Sequence, residues 1–429
     1  MDKRQKLGKL ALVLSVVATT TVVDSVQAAE TTDSEVTAKA IAAPAPVAFA
    51  PPAEYPAGVR SWAVTHADFN GDGKTDVATG NGGNSMSVFL NQGDGTFGVK
   101  SDYDAPKLPY FLTFDITSAD YNGDGKPDLA VSGGNPTGNV LIYLNTGGGV
   151  FAAPKVVPIG FGPNQVASGD LNRDGKQDLI TTNNFAADVS VKLGGGDGTF
   201  GQERKFEVGP GPQGLIVTDV DGDRTPDIVT GNFGRVKDSV TVLIGRGDGT
   251  FRDQQNHPAG ISVNDVAAGD FNRDGRTDLV VGEFLTNKVS VLLATRHGGF
   301  APPRQFSTGT SLNEITVADF NADGAQDIVT TVSPDVNRDP GTLSVSNEQA
   351  AGVSLLLGRG DGTFAENTVF PIDGMVVSVQ PIDVNGDGKL DVVWGANAIS
   401  SGCSVSPVPT TGCPLTITVN DGDVRAFLG

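Results

Sequence analysis

The stretch Asp120-Tyr121-Asn122-Gly123-Asp124-Gly125-Lys126-Pro127-Asp128 decides the fold of this chain, because its pattern occurs seven times. The pattern is D-x-[N/D]-x-D-x-x-x-D, and its copies open at Asp68, Asp120, Asp170, Asp219, Asp270, Asp319 and Asp383. Successive openings are 52, 50, 49, 51, 49 and 64 residues apart. This regular spacing indicates one structural unit copied along the chain, and its length is in the range of β-propeller blades.

Each repeat has the same order of apolar and polar runs around its Asp-rich loop. An apolar run such as 165–168 precedes the loop, and a β-branched run follows it directly, starting at Val77, Leu129, Leu179, Ile228, Leu279, Ile328 and Val392. A third run then occupies 86–90, 140–144, 189–193, 240–244, 289–293, 353–357 and 424–428. A glycine hairpin and a more polar fourth run complete the unit. Buried inner strands with a solvent-exposed outer strand are typical of propeller blades. The chain is therefore predicted to be all-β, a seven-bladed β-propeller of four-stranded antiparallel blades.

The two ends of the chain predict how the ring closes. The last repeat stops after its third run, 424–428, and lacks a fourth one. Residues 49–58 resemble 151–160, which is the fourth run of the second repeat. We therefore expect the N-terminal strand to close the last blade, since this removes an open sheet edge.

Composition and charge limit the classes of partner. The 429 residues are 38% apolar and include 57 Gly and 25 Pro, which suits a large turn-rich β domain. The formal net charge is -20, and nearly half of the acidic residues lie inside the seven loops. This charge repels nucleic acid and anionic membranes, so neither is expected as a partner. Separately, the chain is expected to be a monomer.

The N-terminus has the pattern of an export signal. Four basic residues between 3 and 9 precede a short apolar run, and 26–28 offers small residues for cleavage. We predict a signal peptide over 1–28, a flexible linker over 29–48 and the propeller over 49–429, which implies a secreted or extracytoplasmic protein without a membrane span after processing. A retained membrane anchor is the alternative, although the apolar run is shorter than the ~20 residues of a membrane span.

The loop chemistry predicts calcium. Side-chain oxygens at positions 1, 3 and 5, a backbone carbonyl at position 7 and the Asp at position 9 form a flexible shell of hard oxygen atoms, which suits Ca²⁺. An EF-hand needs Glu at position 12, where the first loop has Thr79. Solvated Asp/Gly turns are the simpler alternative. The predicted ligands of up to seven calcium ions are Asp68, Asn70, Asp72, Lys74, Asp76; Asp120, Asn122, Asp124, Lys126, Asp128; Asp170, Asn172, Asp174, Lys176, Asp178; Asp219, Asp221, Asp223, Thr225, Asp227; Asp270, Asn272, Asp274, Arg276, Asp278; Asp319, Asn321, Asp323, Ala325, Asp327; and Asp383, Asn385, Asp387, Lys389, Asp391.

The loops are numbered one to seven in chain order, and loop four departs from the pattern. Arg224 replaces the Gly at position 6, where a left-handed backbone costs a non-glycine residue about 1 kcal/mol. We therefore expect the site that opens at Asp219 to bind calcium most weakly.

The repeats resemble the FG-GAP or VCBS-type repeats of bacterial secreted proteins, which are related to the propeller of integrin α chains. The loop at 120–128 and the Gly-Asp-Gly-Thr-Phe hairpins carry this resemblance, which covers 49–429. The "GAP" tripeptide is poorly kept, since the matching stretches read Gly80-Asn81-Gly82 or Gly395-Ala396-Asn397, and this favours the VCBS branch. Because relatives of the repeat include sugar-binding propellers, the resemblance implies an adhesion or binding module.

Cys403 and Cys413 are the two cysteines of the chain. An isolated pair in an exported protein indicates a disulfide, and free thiols are the alternative.

Ligand binding is expected where the repeats differ. Insertions at about 333–352 and 398–423 interrupt the connections between the second and third strands of the last two repeats. Three polar candidates lie in the first insertion, where a polar turn is the alternative. Two aromatic candidates lie between a fourth and a first strand, and three lie between the second and third strands of repeats three to five, where packing against the next blade is the alternative. The candidate ligand-binding residues are Tyr110, Phe111, Phe185, Phe233, Phe284, Asp335, Asn337 and Asp339.

The sequence favours a binding or adhesion module for a glycan or a surface protein. A polysaccharide lyase or hydrolase on a similar scaffold is the alternative, but it needs converging Tyr, Lys, Arg or His, and the chain has five Tyr and three scattered His. A structural protein of the cell envelope is a further alternative.

Overall fold

The computed structural model describes residues 47, 53–59, 61–82, 85–108, 113–134, 137–234, 239–309, 312–332, 352–372, 375–397 and 414–420. These residues belong to one compact unit, Ala42–Gly429. Every regular element among them is a β-strand, which confirms the all-β class. Within these ranges no helix is long and apolar enough to cross a membrane.

The described residues form thirty strands, and 28 of these belong to four-stranded antiparallel sheets. The first strands, each before an Asp-rich loop, are β2 Ser61–Ala67, β6 Thr113–Ala119, β12 Pro163–Gly169, β16 Pro212–Thr218, β20 Val263–Gly269, β24 Ile315–Ala318 and β28 Met375–Ile382. The second strands, each after the loop, are β3 Asp76–Asn81, β7 Asp128–Gly133, β13 Asp178–Asn183, β17 Asp227–Asn232, β21 Asp278–Glu283, β25 Asp327–Val332 and β29 Asp391–Asn397.

The outer half of each sheet follows in the predicted order. The third strands are β4 Ser85–Phe89, β8 Thr137–Tyr143, β14 Asp188–Lys192, β18 Val240–Leu243, β22 Lys288–Leu292, β26 Gly352–Leu356 and β30 Pro414–Asn420. The fourth strands are β5 Ser101–Asp104, β11 Lys155–Phe161, β15 Arg204–Glu207, β19 Gln255–His257, β23 Arg304–Ser307, β27 Thr368–Pro371 and β1 Ala53–Val59. A short hairpin of β9 Asn145–Gly147 and β10 Val150–Phe151 precedes β11.

Six of the predicted blades are formed in the predicted way, each from one continuous stretch of chain. The remaining four-stranded sheet does not have this form, because it joins β1 to β28, β29 and β30 from the other end of the chain. We call it the composite sheet. Its N-terminal strand pairs antiparallel with β30, with Ala53 opposite Val419 and Pro56 opposite Thr416.

The boundary of the last third strand differs from the prediction. It was expected at 424–428, which lies outside the described residues, and the structure places it at Pro414–Asn420. The reason is that Pro414-Leu415-Thr416-Ile417-Thr418-Val419 is itself a β-branched run, and it pairs in register with β29. The insertion before it therefore shortens to 398–413.

Burial falls from the inner to the outer strands, as the sequence pattern predicted. All six residues of β13 are buried, whereas β15 is largely exposed. Six of the seven second strands have the same fully buried pattern, which explains why they read as continuous apolar runs.

Neighbouring sheets are joined through the second position of each loop. Phe69 in loop one packs edge-on against Phe151 of the next blade's hairpin, with ring centroids 5.6 Å apart, and its carbonyl accepts a hydrogen bond from Gly149 N at 3.0 Å. Tyr121 and Phe200 repeat the aromatic contact at 5.8 Å. The composite sheet takes part as well, since Asn91 Nδ2 donates to the carbonyl of Val384 in loop seven at 3.0 Å.

The seven first strands line a central channel with a cavity of about 950 Å³. The residue five places before each loop lies on this wall or beside it, and we call these seven positions the latch positions. Asp115 Oδ2 accepts from Val166 N at 3.0 Å, Asp265 Oδ2 accepts from Ile315 N at 2.7 Å, and Ser378 Oγ accepts from Val64 N at 3.1 Å. Each of these bonds crosses to the next sheet. The latch positions are Ala63, Asp115, Gln165, Gly214, Asp265, Glu314 and Ser378.

The latch carboxyl groups make stability depend on pH. Burial raises the pKa of Asp115 to about 7 and that of Asp265 to about 6, and burial together with the nearby Asp265 raises the pKa of Glu314. A folded-state pKa above the unfolded one favours the neutral carboxyl, so the stabilisation is complete below the unfolded pKa and is lost as pH rises through the folded pKa. We expect these groups to lower the free energy of unfolding between about pH 4 and about pH 7.

Asp115→Asn should remove the contribution of Asp115 to this pH dependence of the free energy of unfolding. Urea unfolding at about pH 5 and about pH 8, with calcium saturating, measures the free energy of unfolding at both ends. The stability of the variant should fall less than that of the wild type. Glu366→Gln is the matched control, because Glu366 is exposed, and it should follow the wild type. If Asp115→Asn also follows the wild type, the carboxyl of Asp115 does not titrate in this range.

Candidate metal loops and the connection face

Each Asp-rich loop folds around the carboxylate of its first residue. In loop two, Asp120 Oδ1 accepts from the backbone N–H groups of Gly123 at 2.7 Å and Asp124 at 3.2 Å, and Oδ2 accepts from Gly125 N at 2.7 Å. The bond from position 6 to Oδ2 of position 1 is present in all seven loops. Position 1 therefore organises the turn.

Positions 3 and 5 continue the same arrangement. Asn122 Oδ1 accepts from Asp124 N at 2.9 Å, and Asp124 Oδ1 accepts from Lys126 N at 3.0 Å. These bonds turn the side-chain oxygens toward the interior of the loop. Since a carboxylate has about four lone-pair directions, it can accept these N–H groups and still offer a lone pair to a cation. The donor set fits Ca²⁺, with oxygen ligands only.

The Asp at position 9 is buried and links the loop to the hairpin of its own blade. Asp327 Oδ2 accepts from Phe320 N at 2.9 Å in its loop, and Oδ1 accepts from Gly358 N at 2.7 Å after the third strand. Burial raises the pKa of Asp327 to about 7 and that of Asp76 to about 6. A cation beside such a carboxylate favours its ionised form.

Loop four brings three carboxylates together. Asp219, Asp221 and Asp227 each offer an oxygen, and these oxygens lie within 4.8 Å of one another. Among the described residues, no other group of three acidic, His or Cys side chains converges in this way. In the other six loops position 3 is Asn rather than Asp, so loop four has four carboxylates where each of the others has three.

Backbone strain at Arg224 does not set loop four apart. Arg224 has a φ of 65°, as expected at position 6. Position 4 is also left-handed in loops three, five and six, where Arg173, Arg273 and Ala322 have φ of 59°, 57° and 54°. Each of these four loops therefore contains one strained non-glycine residue. The other loops have Gly at position 4, and this was the signal in the sequence that position 4 needs a left-handed backbone.

An arginine from the preceding blade distinguishes loop four and loop six. Arg173 donates to the side-chain oxygen of Thr225, at position 7 of loop four. Arg273 donates to the carbonyl of Gly324 at 3.1 Å and forms an ion pair with Asp323 at 3.3 Å in loop six. A guanidinium group offsets part of the charge that attracts a cation. This supports weak binding at loop four for a reason other than strain, and the ranking stays a prediction.

The opposite side of the sheets consists of the connections from second to third strands and from fourth to first strands, and we call it the connection face. Phe185, after β13, is 63% exposed and packs edge-on against Phe161 at 6.1 Å between centroids. Gly162, at φ 68°, allows this approach, since a Cβ there would lie 2.3 Å from the Phe185 ring. The large apolar side chains exposed on or next to this face are Trp62, Phe161, Phe185, Ile261 and Leu285.

Phe233 and Phe284 lie on the same face but are partly buried, and their rings contact each other edge-on at 5.5 Å. The structure thus brings Phe233 and Phe284 together as one pair and places Phe185 in another. The remaining candidates lie outside the described residues: Tyr110, Phe111, Asp335, Asn337, Asp339 and the cysteines Cys403 and Cys413. The predicted half loop of blade six and the predicted disulfide therefore stay predictions.

The sequence did not predict the polar channel. Asp115, Asp265 and Glu314 occupy the same latch position in three repeats, so an alignment of the repeats on their loops would have shown them. It also missed Phe161, whose exposure depends on a connection that the repeat pattern does not fix.

Comparison with solved structures finds similar folds at low identity. A chain described as a lectin from Agrocybe aegerita that recognises non-reducing terminal N-acetylglucosamine has a TM-score of 0.46 and 20% identity, over 74% of this chain and 79% of that one. BBS1N, solved in complex with ARL6DN, has a TM-score of 0.52 and 12% identity, over 85% of this chain and 93% of that one. No curated protein matches the chain.

A family model gives a closer identification. The model of the FG-GAP-like repeat matches residues 68–131, 120–181, 170–230, 219–281 and 335–394. Each match begins at or before one Asp-rich loop, and together they cover more than half of the 429 residues. The chain is a member of the FG-GAP-like repeat family.

Proposed function

We propose that this protein is an exported, calcium-binding β-propeller that serves as a binding or adhesion module for a glycan or a surface protein. In this proposal the composite sheet serves as the seventh blade of a closed ring; the pairing of β1 with β30 supports it. The export signal, the linker and the calcium ions are part of this proposal. The VCBS branch of the family, in which such repeats are typical of secreted proteins, agrees with it.

The two faces of the ring differ in what they offer a ligand. The seven loops repeat the same hydrogen bonds, so their face is nearly uniform from blade to blade. Such a face supports stability but gives little discrimination between ligands. The connection face is expected to vary, because the connections 333–351 and 398–413, which lie outside the described residues, are longer than the corresponding connections of the other repeats.

The exposed aromatic pair Phe161–Phe185 is the main observation in favour of a ligand-binding site on the connection face. Exposed aromatic rings offer a large contact area at a small cost in conformational entropy. Their faces stack on the apolar side of a sugar ring, and they also serve as anchors in protein interfaces. Gly162 leaves room for the Phe185 ring to pack against Phe161, so the two rings are already paired before a ligand binds.

A glycan array, repeated with EDTA, tests the proposal. We expect the purified protein to bind a defined group of glycans, with binding lost when chelation unfolds the ring. Phe185→Ala should weaken this binding about tenfold, as expected for the loss of a central aromatic anchor. Val99→Ala changes an apolar side chain that is 97% exposed away from the connection face, and it should bind like the wild type.

The inserted connection of blade six provides a second test on the same face. Replacing 335–350 by a short Gly-Ser turn should keep the thermal unfolding transition and abolish binding of the glycans identified on the array. A folded replacement that keeps full affinity would move the site to Phe161 and Phe185. Full affinity in both variants would contradict the assignment to the connection face.

A further inference from the structure

We propose that the central channel binds a linear organic polycation of the polyamine class. This site is separate from the Phe161–Phe185 pair and from the calcium loops, although Trp62 at the mouth of the channel lies next to the connection face. The channel is a cavity of about 950 Å³ whose wall is formed by residues of all seven first strands.

The lining is acidic without a compensating base. Asp115, Asp265 and Glu314 contribute carboxyl groups, and none of the described residues that line the cavity is Lys, Arg or His. Asp115 and Glu314 are partly accessible to solvent, so a ligand in the channel can reach them. Buried carboxyl groups without a cation are costly, and a positively charged ligand relieves that cost.

The three carboxyl groups do not converge on one point, as the ligands of a single metal ion would. They stand on β6, β20 and β24, and they do not form a set of oxygens within 4.8 Å of one another. A cavity of about 950 Å³ is also far larger than a bare ion needs. Several charges spaced along a flexible chain match this distribution better than a single divalent cation.

Two buried acceptor atoms in the channel wall lack a hydrogen bond. Gln165 donates through Nε2 to Asp265 Oδ1 at 3.2 Å, but its Oε1 has no partner in the described residues. Asn264 is 8% exposed, and its Oδ1 has no partner there either. Unpaired buried acceptors cost free energy, so N–H donors of a ligand beside Asp265 would be favoured.

Aromatic side chains give the channel affinity for organic cations in particular. Trp62 is 40% exposed, and it lines the cavity together with Phe114 one residue before the latch positions. The face of a tryptophan ring attracts an ammonium group. Carboxyl groups, amide acceptors and aromatic rings together are the contacts that a protonated amine needs.

Isothermal titration of the full chain with spermidine, at saturating calcium, tests the proposal. We expect saturable binding by the wild type. The triple variant Asp115→Asn, Asp265→Asn and Glu314→Gln should bind at least about tenfold more weakly, since each lost charge-assisted hydrogen bond contributes to affinity. Saturating calcium keeps the loops from contributing carboxylates to the signal.

A matched control separates the channel from the acidic surface. The triple variant Asp104→Asn, Asp253→Asn and Glu366→Gln removes the same charge from exposed positions, and it should bind spermidine like the wild type. Equal weakening in both triple variants would mean that spermidine binds the surface electrostatically, which overturns the proposal. Absence of binding by the wild type would overturn it as well.

Substitute variants and a magnesium competition cover two remaining outcomes, a channel variant that does not fold and a divalent cation site. If the channel variant fails to fold, Trp62→Phe and the single variant Glu314→Gln replace it, and each should weaken spermidine binding about threefold. Magnesium added at equal ionic strength should not displace spermidine specifically. Stoichiometric displacement by magnesium would identify a divalent cation site instead and would contradict the polyamine assignment.

Discussion

Chelation of calcium by EDTA is expected to lower the melting temperature of the protein by more than about 10 °C. At a free calcium concentration of 100 times Kd, each occupied loop adds about 2.7 kcal/mol to the stability of the folded state. Without the ion, Asp219, Asp221 and Asp227 repel one another at less than 4.8 Å between their oxygens. Differential scanning calorimetry with and without EDTA measures the shift.

Two controls connect this shift to the loops. Excess CaCl₂ should restore the melting temperature, and MgCl₂ at the same concentration should restore much less, because Mg²⁺ requires a tighter octahedral shell. Asp120→Ala should remove the contribution of one loop only, and metal analysis of the purified variant should show one ion fewer than the wild type. A melting temperature that EDTA leaves unchanged, with no calcium found in the wild type, would contradict the metal assignment.

Removal of residues 1–60 is expected to abolish cooperative unfolding of the ring. This truncation deletes β1, so the edge of β30 from Pro414 to Asn420 loses its partner. An unpaired strand edge is a template for association with other chains. The truncated protein should therefore aggregate on purification or unfold over a broad temperature range.

A shorter truncation provides the matched control. Removal of residues 1–46 keeps β1 and the whole composite sheet, and it should leave the unfolding transition of the mature chain unchanged. Size-exclusion chromatography and circular dichroism compare the two proteins. If the longer truncation were monomeric and unfolded as sharply as the shorter one, the pairing of β1 in the composite sheet would not be needed for cooperative folding.

The sequence predicted most of the fold because the same constraint recurs in every repeat. Position 9 shows this well: Asp327 must accept two backbone N–H groups in a buried place, so the residue type is kept wherever the turn is kept. The burial of the second strands likewise leaves a continuous apolar run. The composite sheet was predictable since 49–58 resembles a fourth strand.

The remaining differences arise where no repeat constrains the chain. The third strand of the composite sheet lies at Pro414–Asn420 rather than 424–428 because the β-branched run 416–419 pairs in register with β29, and the repeat pattern alone does not reveal this pairing. The bridges of Arg173 and Arg273 depend on the next blade, which one loop does not reveal. Carboxyl groups occur at the latch position in only three of the seven repeats, so the repeat pattern does not reveal that residues such as Asp115 share one channel wall.

The way the repeats contact one another limits how the protein can change in length. In an open solenoid, stacked repeats end in capping units, and duplication of one repeat simply lengthens the array. Here the contacts return to their start: Ser378 accepts from Val64, and Asn91 donates to Val384. An extra repeat would have to widen every neighbouring contact at once, so gain or loss of repeats requires a new circumference for the entire molecule.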